Sequence, residues 1–202
     1  MKHIPKSSMC IFLCFLLALS VSGCSGGTEI NEKNINQTVL EVEKALKSFD
    51  EDDLKKYVES DTLSKILSVT NGKEQFVQLG QAIFEELSIE IEDIDLENSE
   101  VTVSVINRDL YQIAADFAEG LNSNYTSIQL LGKLSDDAFL DSELSVLSEK
   151  IENAPMQEAP QSITLTVKKG KKNLILYFDE DAENAVSGGA LGAIMKTFSA
   201  SL

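Results

Sequence analysis

Apolar residues recur along this chain with two different periods. Val39, Val42, Leu46 and Phe49 are spaced three and four apart, with Glu41, Glu43, Lys44 and Lys47 between them, which predicts an amphipathic helix over Thr38–Phe49. Asp50-Glu51-Asp52-Asp53 follows, and carboxylates suit a helix N-terminus, so a second short helix is expected through Tyr57 and Val58. A third helix starts at Asp61 or Thr62. After Asn71-Gly72, a fourth over Glu74–Leu87 buries Phe76, Leu79, Ile83 and Phe84. The period then changes to two. Leu87, Ile89 and Ile91 alternate with Ser88, Glu90 and Glu92, the phase slips near Asp93 as at a bulge, and Val101, Val103 and Val105 answer across the turn Glu97–Glu100.

The helical period returns after Asn107, a plausible N-cap, with Leu110, Ile113, Ala114, Phe117 and Leu121 in one stripe. Asn122–Ser127 reads as loop. A short helix is expected between Ser135 and Asp141, and another over Glu143–Asn153. Ile163, Leu165 and Val167, then Leu174, Leu176 and Phe178, form a second hairpin about Gly170. Asp179–Asp181 caps a final helical stretch, interrupted by Gly188, Gly189 and Gly192. The order is helices, two strands, helices, two strands, helix. The expected fold class is α+β, with a curved antiparallel sheet of about four strands covered by helices on one side.

The first residues obey a third pattern. Met1–Lys6 is basic, and Met9–Val21 is a run of 13 mostly apolar residues, too short to cross about 30 Å of hydrocarbon as a helix. Val21-Ser22-Gly23-Cys24 resembles the lipobox of bacterial lipoproteins, an aliphatic residue and two small ones before a cysteine. That resemblance implies that diacylglycerol is attached to the Cys24 thiol, that the peptide before it is cut, and that several acyl chains hold the product in a bilayer at the extracytoplasmic face of the cell membrane. The expected organisation is a signal peptide over 1–23, a lipidated Cys24 with a small, polar tether over 24–37, and one domain over 38–202.

Composition narrows the chemistry. The chain has 202 residues, 43% hydrophobic and 25% charged, which suits one globular domain with a core. Its net charge is -16, and removing Lys2 and Lys6 with the leader brings it near -18. Nucleic acid needs clustered Lys and Arg, so it is not an expected partner. Membrane attachment falls to the acyl group on Cys24. The one histidine, His3, and two of the three cysteines, Cys10 and Cys14, lie in the leader. The remaining chain therefore lacks the residues for Ser-His-Asp or Cys-His catalysis and for a zinc cluster, and no cofactor is expected.

The stretches Val42–Tyr57, Val101–Leu110 and Ile163–Leu191 also resemble lipoproteins of Gram-positive bacteria that carry a nuclear-transport-factor-2-like, or cystatin-like, cone domain. The resemblance implies a curved sheet wrapped by helices around a cavity, without a shared catalytic residue. The helices between Asn122 and Asn153 and the helical tail depart from the commoner order, in which a long strand meander ends the domain.

Few residues point to a site. Arg108, the only arginine, sits with Tyr111 where a strand meets a helix. Arg108 is expected either to face an anionic ligand at the mouth of the cone or to form an ion pair with an acid such as Asp109. Lys168, Lys169, Lys171 and Lys172 make the one basic cluster, which either docks an acidic wall polymer or is a solvated hairpin tip. The acidic runs Asp50–Asp53 and Asp179–Asp181 lack the spacing of a calcium loop and read as helix caps. The expected function is non-enzymatic binding of an envelope protein or a small ligand by a tethered domain. The alternatives are a carboxylate-dependent enzyme acting on envelope glycans and a structural envelope component.

Overall fold

The computed structural model describes residues 28–70 and 72–199. The leader, Cys24 and the first tether residues lie outside the described residues. The first helix, α1, spans Glu32–Ser48. Asn31 caps it by accepting from the Asn34 amide at 2.9 Å. It therefore begins six residues before the expected start. Residues 32–37 carry a single apolar side chain, Ile35, too little to display a period, but Ile35 is fully buried and draws this turn into the folded body. The helix closes on Phe49, which is left-handed at φ 48° and donates its amide to Ala45 and Leu46.

Asp50 caps α2, Glu51–Tyr57, by accepting from the amides of Asp52 and Asp53, both at 3.0 Å. Val58, expected in that helix, instead opens a two-residue strand, β1, Val58–Glu59. Two residues cannot show an alternation, so only tertiary pairing reveals this strand. Ser60 caps α3, Asp61–Thr70, through Leu63. Next come α4, Glu74–Phe84, and the strands β2, Ser88–Asp95, and β3, Glu100–Ile106. Their register shifts between Ile91 and Asp93, the place where the apolar phase slips.

The helix α5, Tyr111–Asn124, runs deeper into the expected loop than its stripe suggests. A capping box between Thr126 and Gln129 then starts α6, Ser127–Lys133, which the sequence pattern missed. Asp136 caps α7, Asp137–Glu152, a single helix where two were expected. Leu140, Leu144, Leu147 and Ile151 form one continuous stripe, and Asp141 lies on its exposed face instead of ending it. The strands β4, Gln161–Lys169, and β5, Leu174–Tyr177, form the second hairpin. Asp179 caps α8, Glu180–Val186, and α9 spans Ala190–Ser199. Gly188 and Gly189, at φ 60° and 87°, make the corner between these two helices.

The five strands lie in the order β1-β5-β4-β3-β2. The sheet is mixed, not purely antiparallel as expected, because β1 joins the edge parallel to β5, with Val58 beside Leu176. It is open, and α1 covers one face. Ile35, Val39, Val42 and Leu46 of α1 pack on Val101, Val103, Val105, Leu165, Leu174 and Leu176. Burying each such side chain contributes about 1.5–3 kcal/mol. The opposite face is wet, and Thr102 and Thr164 share a hydrogen bond there at 3.1 Å. A smaller core joins α5, α7 and α9 through Ala114, Leu147, Ile151 and Ala193. No helix among the described residues is long and apolar enough to cross a membrane.

Candidate functional site

A cleft of about 220 Å³ opens where the start of α3, the end of β5, α8 and α9 converge. Its polar lining includes four carboxylates, from Asp61, Asp179, Glu180 and Glu183, and no Lys or Arg. Tyr177, Phe178, Leu191 and Met195 supply an apolar wall. Local structure fixes these positions. Asp179 is aimed by its capping bond to the Ala182 amide at 2.9 Å. Glu183 lies one turn further along α8 and is 7% exposed. Its Oε1 accepts from the Ser60 hydroxyl at 2.5 Å and from the Thr62 amide at 3.3 Å. A buried carboxylate persists when hydrogen-bond donors satisfy it, and here the Ser60 hydroxyl, just before α3, and the Thr62 amide in its first turn provide them. Asp61 and Glu180 remain exposed at the rim.

Sequence reasoning missed Glu183, which looked like one acid among 33. A signal was present, because its neighbours Ala182, Ala185 and Val186 are all apolar, which marks that face of α8 as packed. The cleft offers hydrogen-bond acceptors, negative charge and an apolar wall, a combination suited to a cationic, partly apolar group. Among the described residues no group of three or more His, Cys, Asp or Glu side chains is arranged to hold a metal ion.

Cys24 lies outside the described residues. Arg108 and Tyr111 are described, and neither lines the cleft. Arg108 donates from Nη1 to the Ala154 carbonyl at 3.0 Å, and its Nη2 stands 3.4 Å from Glu86 and 3.7 Å from Glu85. Its Nε is buried without a hydrogen-bond partner. The backbone of Arg108 also bridges to Met156. The guanidinium thus ties the end of α4 to the segment after α7, and its acid partners are Glu85 and Glu86, where Asp109 was suggested. Tyr111 is 40% exposed, and its hydroxyl accepts from Lys196 of α9 at 3.3 Å. The two side chains therefore serve different partners.

Asn107 is not an N-cap. It is fully buried, and its amide nitrogen donates to the carbonyls of Ile83 at 3.0 Å and Val186 at 2.7 Å. Leu110 occupies the cap position of α5, without a side-chain bond. In the basic cluster, Lys168 pairs with Glu59 at 2.8 Å and lies over the Tyr177 ring.

The fold therefore defines an α+β domain with an open mixed sheet and an acidic cleft at one end of β5. No family model matches the chain, and no curated protein does. Among solved structures, the chain is similar to a candidate lipoprotein (ycdA) from Bacillus subtilis subsp. subtilis str. 168, at 12% identity and a TM-score of 0.38. The alignment covers 79% of this chain and 59% of that one, so the chain spans about three fifths of its neighbour's length.

Proposed function

We propose that this chain is a lipoprotein held at the extracytoplasmic face of the cell membrane by acylated Cys24, and that its domain binds a cationic partner or small ligand at the acidic cleft without transforming it. The observation that carries the binding reading is the cleft itself, with four carboxylates, an apolar wall and no Lys or Arg among its described lining residues. The anchor reading is supported by the basic and apolar leader ending in Val21-Ser22-Gly23-Cys24. The same reading takes the domain as a relative of the cone-like, nuclear-transport-factor-2-like and cystatin-like folds, supported by a sheet covered by helices on one face.

Two measurements test it. Mass spectrometry of the native product checks the anchor, and an unmodified Cys24 thiol or a retained leader refutes it. For the cleft, the mature protein is titrated with a short peptide of alternating lysine and phenylalanine. Binding is expected to weaken with salt and to fall several-fold in a variant carrying Asp61→Asn and Glu180→Gln, both at the exposed rim. Equal affinity of that variant and the wild type removes the cleft from the binding account.

A further inference from the structure

The β4–β5 hairpin overhangs its sheet. Pairing of β3 with β4 ends at Glu100 and Thr166, and pairing of β1 with β5 begins only at Leu176. Residues 168–173 therefore extend past both flanking strands, and Lys168 and Lys169 pair only with Ile175 and Leu174 of β5. The tip is nevertheless held to the body by hydrogen bonds. Gly170 donates its amide to the Asn173 carbonyl at 2.9 Å, and the buried Asn173 side chain donates to the carbonyls of Lys56 at 2.6 Å and Leu174 at 2.8 Å. These bonds fasten the tip to the end of α2. Lys169, Lys171 and Lys172 stand exposed on it, and none of them makes an ion pair among the described residues. In a chain of net charge -16, three neighbouring unpaired lysines on a stapled projection form a local reversal of sign.

The cleft lies at the other end of the same strand. Its lining starts at Tyr177, about 13 Å along β5 from the tip at 3.3 Å per residue. The tether, in turn, is short. Seven residue steps separate Cys24 from Asn31, the cap of α1, and span at most about 25 Å. An acyl anchor would therefore hold the body within reach of the leaflet while leaving it free to turn. An anionic leaflet repels the acidic body and attracts lysines within about a Debye length. Three lysines are too few to capture a protein from solution, but a tethered body has already given up its translational freedom, so they suffice to orient it.

We propose that the β4–β5 tip, through Lys169, Lys171 and Lys172, docks on anionic lipid headgroups of the leaflet that holds Cys24, and so turns the acidic cleft toward the aqueous side. This rests on the lipoprotein reading above. The test reconstitutes the full acylated protein on vesicles of phosphatidylcholine alone and of phosphatidylcholine mixed with phosphatidylglycerol. A water-soluble amine reagent is added, and labelling of each lysine is read by peptide mass spectrometry. Lys169, Lys171 and Lys172 are expected to label several-fold more slowly on the anionic vesicles, with high salt restoring the rate. Lys65 and Lys150, exposed elsewhere, label equally on both. Equal labelling of the tip on the two vesicle types overturns the proposal. So does protection by soluble polyphosphate without protection by anionic vesicles, which assigns the tip to a wall polymer. Failure to sediment with neutral vesicles refutes the anchor, and the docking falls with it; sedimentation without tip protection refutes the docking alone.

Discussion

The Ser60 hydroxyl donates to Glu183 Oε1 at 2.5 Å, joining residues 123 positions apart and fixing the start of α3 to α8 at the floor of the cleft. A hydrogen bond to a charged acceptor contributes about 1.5–3 kcal/mol, and an orphaned buried donor costs a similar amount. Glu183→Ala is therefore expected to lower the unfolding free energy by about 2 kcal/mol. Glu183→Gln, which keeps an acceptor oxygen but loses the charge, should cost less. Urea unfolding of both variants decides it, and equal stability of Glu183→Ala and wild type would show that the contact contributes nothing.

Asn107 serves a comparable role with opposite polarity. Its amide nitrogen faces two carbonyls, those of Ile83 and Val186, while its oxygen accepts from the Arg108 amide at 2.8 Å. Asn107→Ala leaves both carbonyls unsatisfied at a cost of about 1–3 kcal/mol. Asn107→Asp should be worse, although it is nearly isosteric, because a carboxylate would replace the donor in front of two acceptors and bury a charge. Chemical denaturation should rank stability as wild type, then Asn107→Ala, then Asn107→Asp.

These two residues show where the sequence stops being readable. The hairpins were legible because Val101, Val103 and Val105, and again Leu165 and Val167, obey a period that only a half-buried strand rewards. The caps at Asp50 and Asp179 were legible because a carboxylate before a helix acts locally. The strand β1 was not, since its two residues become a strand only by lying beside Leu176 and Tyr177, more than a hundred positions away. Asn107 was read as a local cap because the residue type suits one, but its partners come from α4 and α8. The apolar neighbours of Glu183 mark a packed face of α8, but its partner Ser60 lies 123 positions away and leaves no local trace. Local propensity is written in neighbours, whereas buried polar contacts are written in topology.

Acid should weaken the fold at two identified places. In Asp136, the Phe139 amide first and then the Lys133 ammonium hold the carboxyl below the usual aspartate range. In Asp95, the Asn98 backbone amide, its side-chain amide and the Glu97 amide do the same. A carboxyl depressed in the folded state binds its proton more readily in the unfolded one. The stability it contributes is thus complete above the ordinary aspartate value and is lost as pH falls through the depressed one. Carboxyl titrations by NMR should place both groups low. The double variant Asp95→Asn and Asp136→Asn should show a shallower loss of stability on acidification than the wild type.

Two helical glycines should respond oppositely to alanine. Gly120 in α5 is exposed, and a β-carbon added there would meet nothing within 4 Å. Alanine loses less backbone entropy on folding into a helix, so Gly120→Ala should stabilise the protein by about 0.5–1 kcal/mol. Gly80 in α4 has the same intrinsic gain available but faces the Phe49 ring, and a β-carbon there would come within 2.2 Å of its Cγ. The ring has little freedom to retreat. It stacks on Phe84 with centroids 6.0 Å apart, and its backbone is pinned in the left-handed region by the closing bonds of α1. Overpacking of a fixed core contact costs about 1–3 kcal/mol, which exceeds the propensity gain, so Gly80→Ala should destabilise. Thermal unfolding of the two single variants separates the terms. A stabilised Gly80→Ala would mean that Phe49 can move, and that the junction of α1 and α4 is looser than its contacts imply.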